Sequence, residues 1–284
     1  MFGWRSRIIS VKRWDAIWLV IASLAIAWVF HRNDVLMSRG FDGVTLHSID
    51  DDMMISMTYG RNLAEGHGLI WTRGGPHVEG YTNFLWTIVM AAVHKLGAPD
   101  ATAASWMRAV GWACLVGALI QSVRVLRVFV PRSLVVTPVF LAAACSNNDI
   151  VTWAVWGFET TLLSFVFMTW VASVLRNPMS VVGWISLALV PLTRSDGVQT
   201  FLVCSIIGFL LVNADDRKRV ALTRILPAAL PTLAHWSLRE DLLAGLHPSF
   251  SCSRGCTPFG SALPALFFIT CPTKKPMSFV SPPR

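Results

Sequence analysis

Three consecutive carboxylates, Asp50, Asp51 and Asp52, open the one long polar stretch of the chain, residues 49–86. Adjacent acids repel, and near a membrane the cost rises unless a proton or a cation neutralises them. Such a run can supply a general base or a metal ligand. It can also cap a helix, because an Asp oxygen accepts the first free N–H groups and negative charge suits the positive helix end; capping would account for one of the three. Two further acids, Glu159 in WGFETTL and Asp196 in LTRSDG, stand at the mouths of apolar runs, each a solvated helix end or a site residue. Glu79, Tyr81 and Asn83 lie in EGYTNFLW, where Thr82 or Asn83 can cap the following helix and Trp86 suits a headgroup belt. His67 and His77 flank a Gly-rich turn without standard ligand spacing, and Gly66, Gly68, Gly74 and Gly75 read as tight turns with no phosphate-loop spacing.

The elements that must position these groups are apolar helices. With 54% hydrophobic and 14% charged residues, 13 Trp and a mean hydropathy of +0.55, the chain reads as an integral membrane protein. Its separated apolar runs suit helices crossing a hydrocarbon core of about 30 Å, without the alternation of barrel strands. The expected fold class is therefore an all-α polytopic membrane protein. The net charge of +8 comes from Lys and Arg in short loops, where they set orientation, so nucleic acid is not expected as a partner. Cys114, Cys145 and Cys204 lie inside apolar runs as small hydrophobes, and no disulfide framework is implied.

Loop charge also gives a topology. Arg5, Arg7, Lys12 and Arg13 precede an apolar run at 16–30 with no cleavage site, which reads as an uncleaved anchor with a cytoplasmic amino end. If 84–96 and 103–122 both crossed, Arg124, Arg127 and Arg132 would lie outside; if 84–96 lies in the outer interface, they lie inside. Every later loop then agrees, with runs at 134–145, 162–175, 181–192 and 198–212 alternating until Asp215, Asp216, Arg217, Lys218 and Arg219 face the cytoplasm. On this scheme Asp50, Asp51, Asp52, Glu79, Asp149, Glu159 and Asp196 share the external side.

The run DDMMISMTYGRNLAEGHGLIW with VEGYTNFLWT, followed in order by WGFETTL and LTRSDG, resembles the GT-C superfamily of polytopic glycosyltransferases, most closely the bacterial cell-wall arabinofuranosyltransferase-like branch. The resemblance covers about residues 13–211. It implies a transmembrane helical bundle with a long first external loop carrying interfacial helices, in the cell's inner (plasma) membrane. It also implies transfer of a sugar from a polyprenyl-phosphate donor to a glycan, lipid or protein acceptor of the cell envelope, on the external or periplasmic face. The catalytic acid falls on Asp51 or Asp52. Substrate-binding positions fall on Asp50, Glu79, Tyr81, Asn83, Glu159, Arg194 and Asp196. Relatives usually read DDAYISFRY, whereas this chain has Met53, Met54 and Thr58; Arg61, about one turn beyond Thr58, stands in for the missing phosphate-binding arginine. Ser195 replaces the proline of the later turn. No dedicated cofactor is implied, though a divalent cation would suit the acids.

After about residue 235 the composition turns to Ser, Pro and Cys, so 1–235 is read as an incomplete GT-C-like domain and 236–284 as an atypical tail of a truncated or frame-shifted product. Cys252 and Cys256, with His247 nearby, lack a second ligand pair for zinc, and Cys271 stands alone. Two rival readings are a transporter or flippase-like protein, which calls for carboxylates near mid-span and broken helices at the midplane, and an inactive fragment.

Overall fold

The apolar run near the amino end folds as one helix, α1 (Arg13–Met37), in a computed structural model that describes residues 11–41, 44–47, 49–75, 80–212 and 214–245. By its internal contacts the chain divides after Leu243, and every described helix and strand begins within the first unit, Met1–Leu243. A short antiparallel hairpin succeeds α1, β1 (Ser38–Phe41) pairing with β2 (Val44–His47) in the register Ser38 to His47. Then come α2 (Asp51–Ala64), α3 (Phe84–Lys95) and α4 (Ala103–Phe129). They are succeeded by α5 (Val136–Ser146), α6 (Asn148–Val155), α7 (Thr160–Arg176), α8 (Val181–Thr193) and α9 (Gly197–Leu210). The unit closes with α10 (Arg217–Val220), a π-helical segment at Ala221–Ile225 and α11 (Leu226–Gly245), which carries helix past the composition change near residue 235.

Helix α1 packs antiparallel to α4, and an ion pair rivets each end. At one end, called basal here, Arg127 holds Asp15 through Nε at 3.0 and 3.1 Å, and Thr137 donates to the same carboxylate at 2.8 Å. Neither Arg127 nor Asp15 has solvent enough to replace its partner, so removing either one leaves a buried charge at a typical cost of about 3–5 kcal/mol. At the other end, the loop end, Arg108 pairs with Asp34 and donates through Nε to Val155 O at 3.1 Å. Between these rivets Leu19, Ala22, Ile26 and Phe30 of α1 pack on Leu115, Leu119 and Val123 of α4 and Leu141 of α5. A second core joins Val166, Trp170 and Val174 of α7 to Trp184, Leu187 and Val190 of α8 and Phe201 and Cys204 of α9.

Two described helices, α1 and α4, are long and apolar enough to cross a membrane; α6 with α7, bent by 117° between them, raises the number to three if counted as one span. Apolar faces point outward on α1 (Ile17, Val20, Leu24, Trp28) and on α9 (Leu202, Val203, Ile206, Leu210). Such a face on a helix as long as α1 is a character of a membrane protein. Three of the expected spans fold as helices shorter than a hydrocarbon core, although α8 still runs from the Ser180 end of the bundle to Arg194 beside Glu159. Helices α5, α8 and α9 have 11, 13 and 14 residues. At 1.5 Å per residue they reach about 16–21 Å, short of a hydrocarbon core of about 30 Å. Apolarity reports burial, not length: at Asn147 the side chain accepts from Ile150 N at 3.1 Å and starts a new helix, so the run beginning at 134 breaks there. The segment expected not to cross, 84–96, is α3, 12 residues packed against α2 at the loop end. Trp86 is not at a surface belt: it is fully buried, and its Nε1 donates to Gly157 O at 2.9 Å.

Candidate functional site

Four segments distant in sequence meet at the loop end through side-chain hydrogen bonds. Asn83 stands at the N-cap position of α3 yet makes no capping bond. Its carbonyl oxygen instead accepts from Ser56 Oγ of α2 at 2.8 Å and from Thr87 Oγ1 at 3.2 Å, and its amide nitrogen donates to Glu159 Oε2 at 3.1 Å. Arg194 Nη1 donates to the other oxygen of Glu159 at 2.9 Å, and Arg194 Nε and Nη2 donate to Asp196 at 3.0 and 3.3 Å. The relay therefore runs Ser56, Asn83, Glu159, Arg194, Asp196. Its Asn83 and Glu159 members are buried, while Asp196 is exposed.

Backbone geometry explains why these side chains converge. The turn from α6 into α7 needs a left-handed residue, supplied by Gly157 at φ +83°, where a Cβ would also meet Ile49 Cγ2 at 3.2 Å. The carbonyls this turn frees are claimed by Trp86 Nε1, at Gly157 O, and by Asp50 N, at Trp156 O at 3.3 Å. Glu159 is thus fixed next to both α3 and the start of α2. On the far side, Arg194 leaves α8 in extended conformation, and α9 begins at Gly197, where a Cβ would stand 2.5 Å from Val190 O. Only glycine permits this approach, which turns Arg194 back toward Glu159.

The Asp run divides by role. Asp50 caps α2, its Oδ1 accepting from Asp52 N at 3.2 Å. Asp51 and Asp52 are exposed in the first helical turn and hydrogen-bond to none of Glu159, Arg194 or Asp196 among the described residues. Helical periodicity puts Asp52 on the flank of Ser56 and Tyr59, and Asp51 on the flank of Met54 and Thr58. The run reaches the relay at one remove, because Met53 Sδ lies 3.8 Å from Asn83 Nδ2. Tyr81 packs edge-on to Tyr59, centroids 5.1 Å apart, and lines a cleft of about 50 Å³ with Phe84, Ser195, His235 and Trp236. Asp149 is exposed in the first turn of α6 and takes no part. Glu79 and His77 lie outside the described residues, as do Cys252, Cys256, Cys271 and His247.

Arg61 does not join the relay. It pairs with Asp100 at 3.3 Å and lines a separate cavity of about 100 Å³ with Thr58, His47 and His94. Burial is the main force holding the His94 imidazole below its usual pKa, with Asp100 opposing and Arg61 assisting. The Arg194 guanidinium is raised instead, first by its hydrogen bond to Asp196, against partial burial. Among the described residues no group of three or more His, Cys, Asp or Glu converges as metal ligands.

Sequence reasoning does not single out Ser56 or Thr87, and names Met53 only as a departure from the family pattern. Spacing holds a signal for two of them: Thr87 stands one helical turn after Asn83, and Ser56 one turn after Asp52. Comparison with protein-family models, curated proteins and solved structures finds no match for this chain.

Proposed function

We propose that the protein is a membrane glycosyltransferase of the GT-C kind, taking a sugar from a polyprenyl-phosphate donor and placing it on a glycan, lipid or protein acceptor at the external face of the plasma membrane. The observation that carries this reading is the Ser56–Asn83–Glu159–Arg194–Asp196 relay, because it joins at one end of the bundle the four segments on which the resemblance rests. Loop charge orients that end outward. The Asp15–Arg127 end lies with Lys12, Arg13 and Arg132, and the loop end carries the acids.

Asp52, exposed on the flank of α2 that leads to Asn83, is assigned as general base. Its carboxylate takes the proton of the acceptor hydroxyl as that oxygen attacks the anomeric carbon. The bond from that carbon to the donor phosphate oxygen breaks, its electron pair leaves with the lipid phosphate, and the anomeric configuration inverts. Arg194 is assigned to the leaving group. Glu159 anchors Nη1 from the buried side, while Nε and Nη2 face the exposed Asp196, so a phosphate can replace Asp196 as the paired oxyanion. Asp51, on the other flank, is the alternative base.

The test is donor turnover by the full chain in proteoliposomes, with a panel of polyprenyl-phosphate sugars radiolabelled in the sugar. Release of polyprenyl phosphate together with a labelled glycan product supports the reading. No turnover of any lipid-linked sugar by protein that retains its loop-end fold overturns it.

A further inference from the structure

At the basal end, a cavity of about 460 Å³ opens among α4, α7 and the start of α8. It lies a helix length from the relay, since α7 runs 17 residues, about 26 Å, from the Glu159 end to Arg176. Two guanidinium groups, Arg124 and Arg176, line it together with the polar side chains of Gln121, Ser173, Asn177 and Ser180, and no carboxylate among the described residues does. Arg124 shares one hydrogen bond, Nη1 to Gln121 Oε1 at 3.1 Å, and Arg176 has no partner among the described residues. The contrast with neighbouring Arg127, saturated by Asp15, Thr137 and backbone carbonyls, is plain. Beside the cavity α8 turns outward an apolar face of Val181, Val182 and Ile185.

We infer that this cavity binds the phosphate group of a membrane lipid. Two cations without a counter-carboxylate, framed by hydroxyl and amide donors, match a phosphate oxyanion, and guanidinium groups suit it best. The exposed valines and isoleucine give an attached acyl chain an apolar surface to track along, which a free phosphate would not use. This site is independent of glycosyl transfer, because its side chains stand at the opposite end of the bundle.

Native mass spectrometry of the detergent-solubilised full chain tests it. The probes are dioleoyl phosphatidic acid, dioleoylglycerol with the same acyl chains, and inorganic phosphate. The expected result is one phosphatidic acid held at least about tenfold more tightly by the wild type than by the Arg124→Gln/Arg176→Gln double variant, the difference that losing charged hydrogen bonds would make. Arg124→Lys/Arg176→Lys should retain part of this binding, and a monodisperse elution profile with unchanged helix content verifies each variant's fold. Equal retention of phosphatidic acid and dioleoylglycerol, or equal binding by wild type and a folded Gln double variant, would overturn the site. Inorganic phosphate bound as tightly as phosphatidic acid would overturn the lipid assignment.

Discussion

Glu159 should matter more for stability than Asp196, although both pair with the same arginine. Truncation by Glu159→Ala removes the acceptor for Asn83 Nδ2, in a residue 1% exposed, leaving it only Met53 Sδ at 3.8 Å. An unsatisfied buried donor of this kind costs about 1–3 kcal/mol. The same change frees Arg194 Nη1, but that side chain is 38% exposed and still held by Asp196, so solvent limits the added cost to about 1 kcal/mol. The sum is about 2–4 kcal/mol. Glu159→Gln keeps an oxygen for Asn83 and turns its amide toward Arg194, donor against donor, for about 1 kcal/mol. Asp196→Asn breaks a pair whose acid is 63% exposed and should cost at most about 1 kcal/mol. Denaturation in mixed micelles, tracked by tryptophan fluorescence, gives the order directly. An Asp196→Asn cost equal to that of Glu159→Ala, or a Glu159→Ala cost below about 0.5 kcal/mol, would refute the relay as a structural unit.

Protonation and orientation give two further tests. His94 has a folded pKa depressed below 6.5 by burial, so the unfolded chain binds the proton more readily. Its contribution is whole above pH 6.5 and is lost as the pH falls toward the folded value; comparing thermal half-lives at about pH 7.5 and about pH 5.5 should show a decline that His94→Gln reduces. For orientation, single cysteines at Gly74 and Lys218, in a background lacking native cysteine, should label from outside and inside respectively. Arg132, exposed at the basal end, is a better inside probe than the buried Arg127, and outside labelling there would invert the proposed placement of the site.

Residue type and order along the chain point to Asn83, Glu159, Arg194 and Asp196, but not to the bonds that join them, nor to the place of Asp51, Asp52 and Arg61 outside the relay. Asn83 is a good cap that does not cap, and Glu159 is an acid at the mouth of an apolar run, buried against an arginine 35 positions away. Residue type marks each as costly. The helices are legible only in part, for one reason: hydropathy reports which residues avoid water, whether lipid or protein replaces it. Thus α1 and α4 emerge at span length, while α5, α8 and α9 bury apolar side chains over fewer turns. The strand pair Ser38–Phe41 and Val44–His47 lies in a segment that the charge pattern reads only as external loop. Trp86 misleads because a tryptophan beside an apolar helix suits a headgroup region as well as a core, and only the Gly157 carbonyl decides between them.

In the proposed reaction an exposed acid of α2 serves as base beside the Glu159–Arg194 relay. The direct measurement is sugar transfer from a polyprenyl-phosphate donor by wild type, Asp51→Asn, Asp52→Asn and the double variant, with donor loss and product formation recorded together. Asn retains the size and oxygen of Asp and removes the charge, so folding and membrane insertion should persist. The expected result is a loss of about 10²- to 10⁴-fold for Asp52→Asn, a smaller loss for Asp51→Asn, and nothing further in the double variant beyond the larger single effect. Full turnover by the double variant would contradict a catalytic role for either acid.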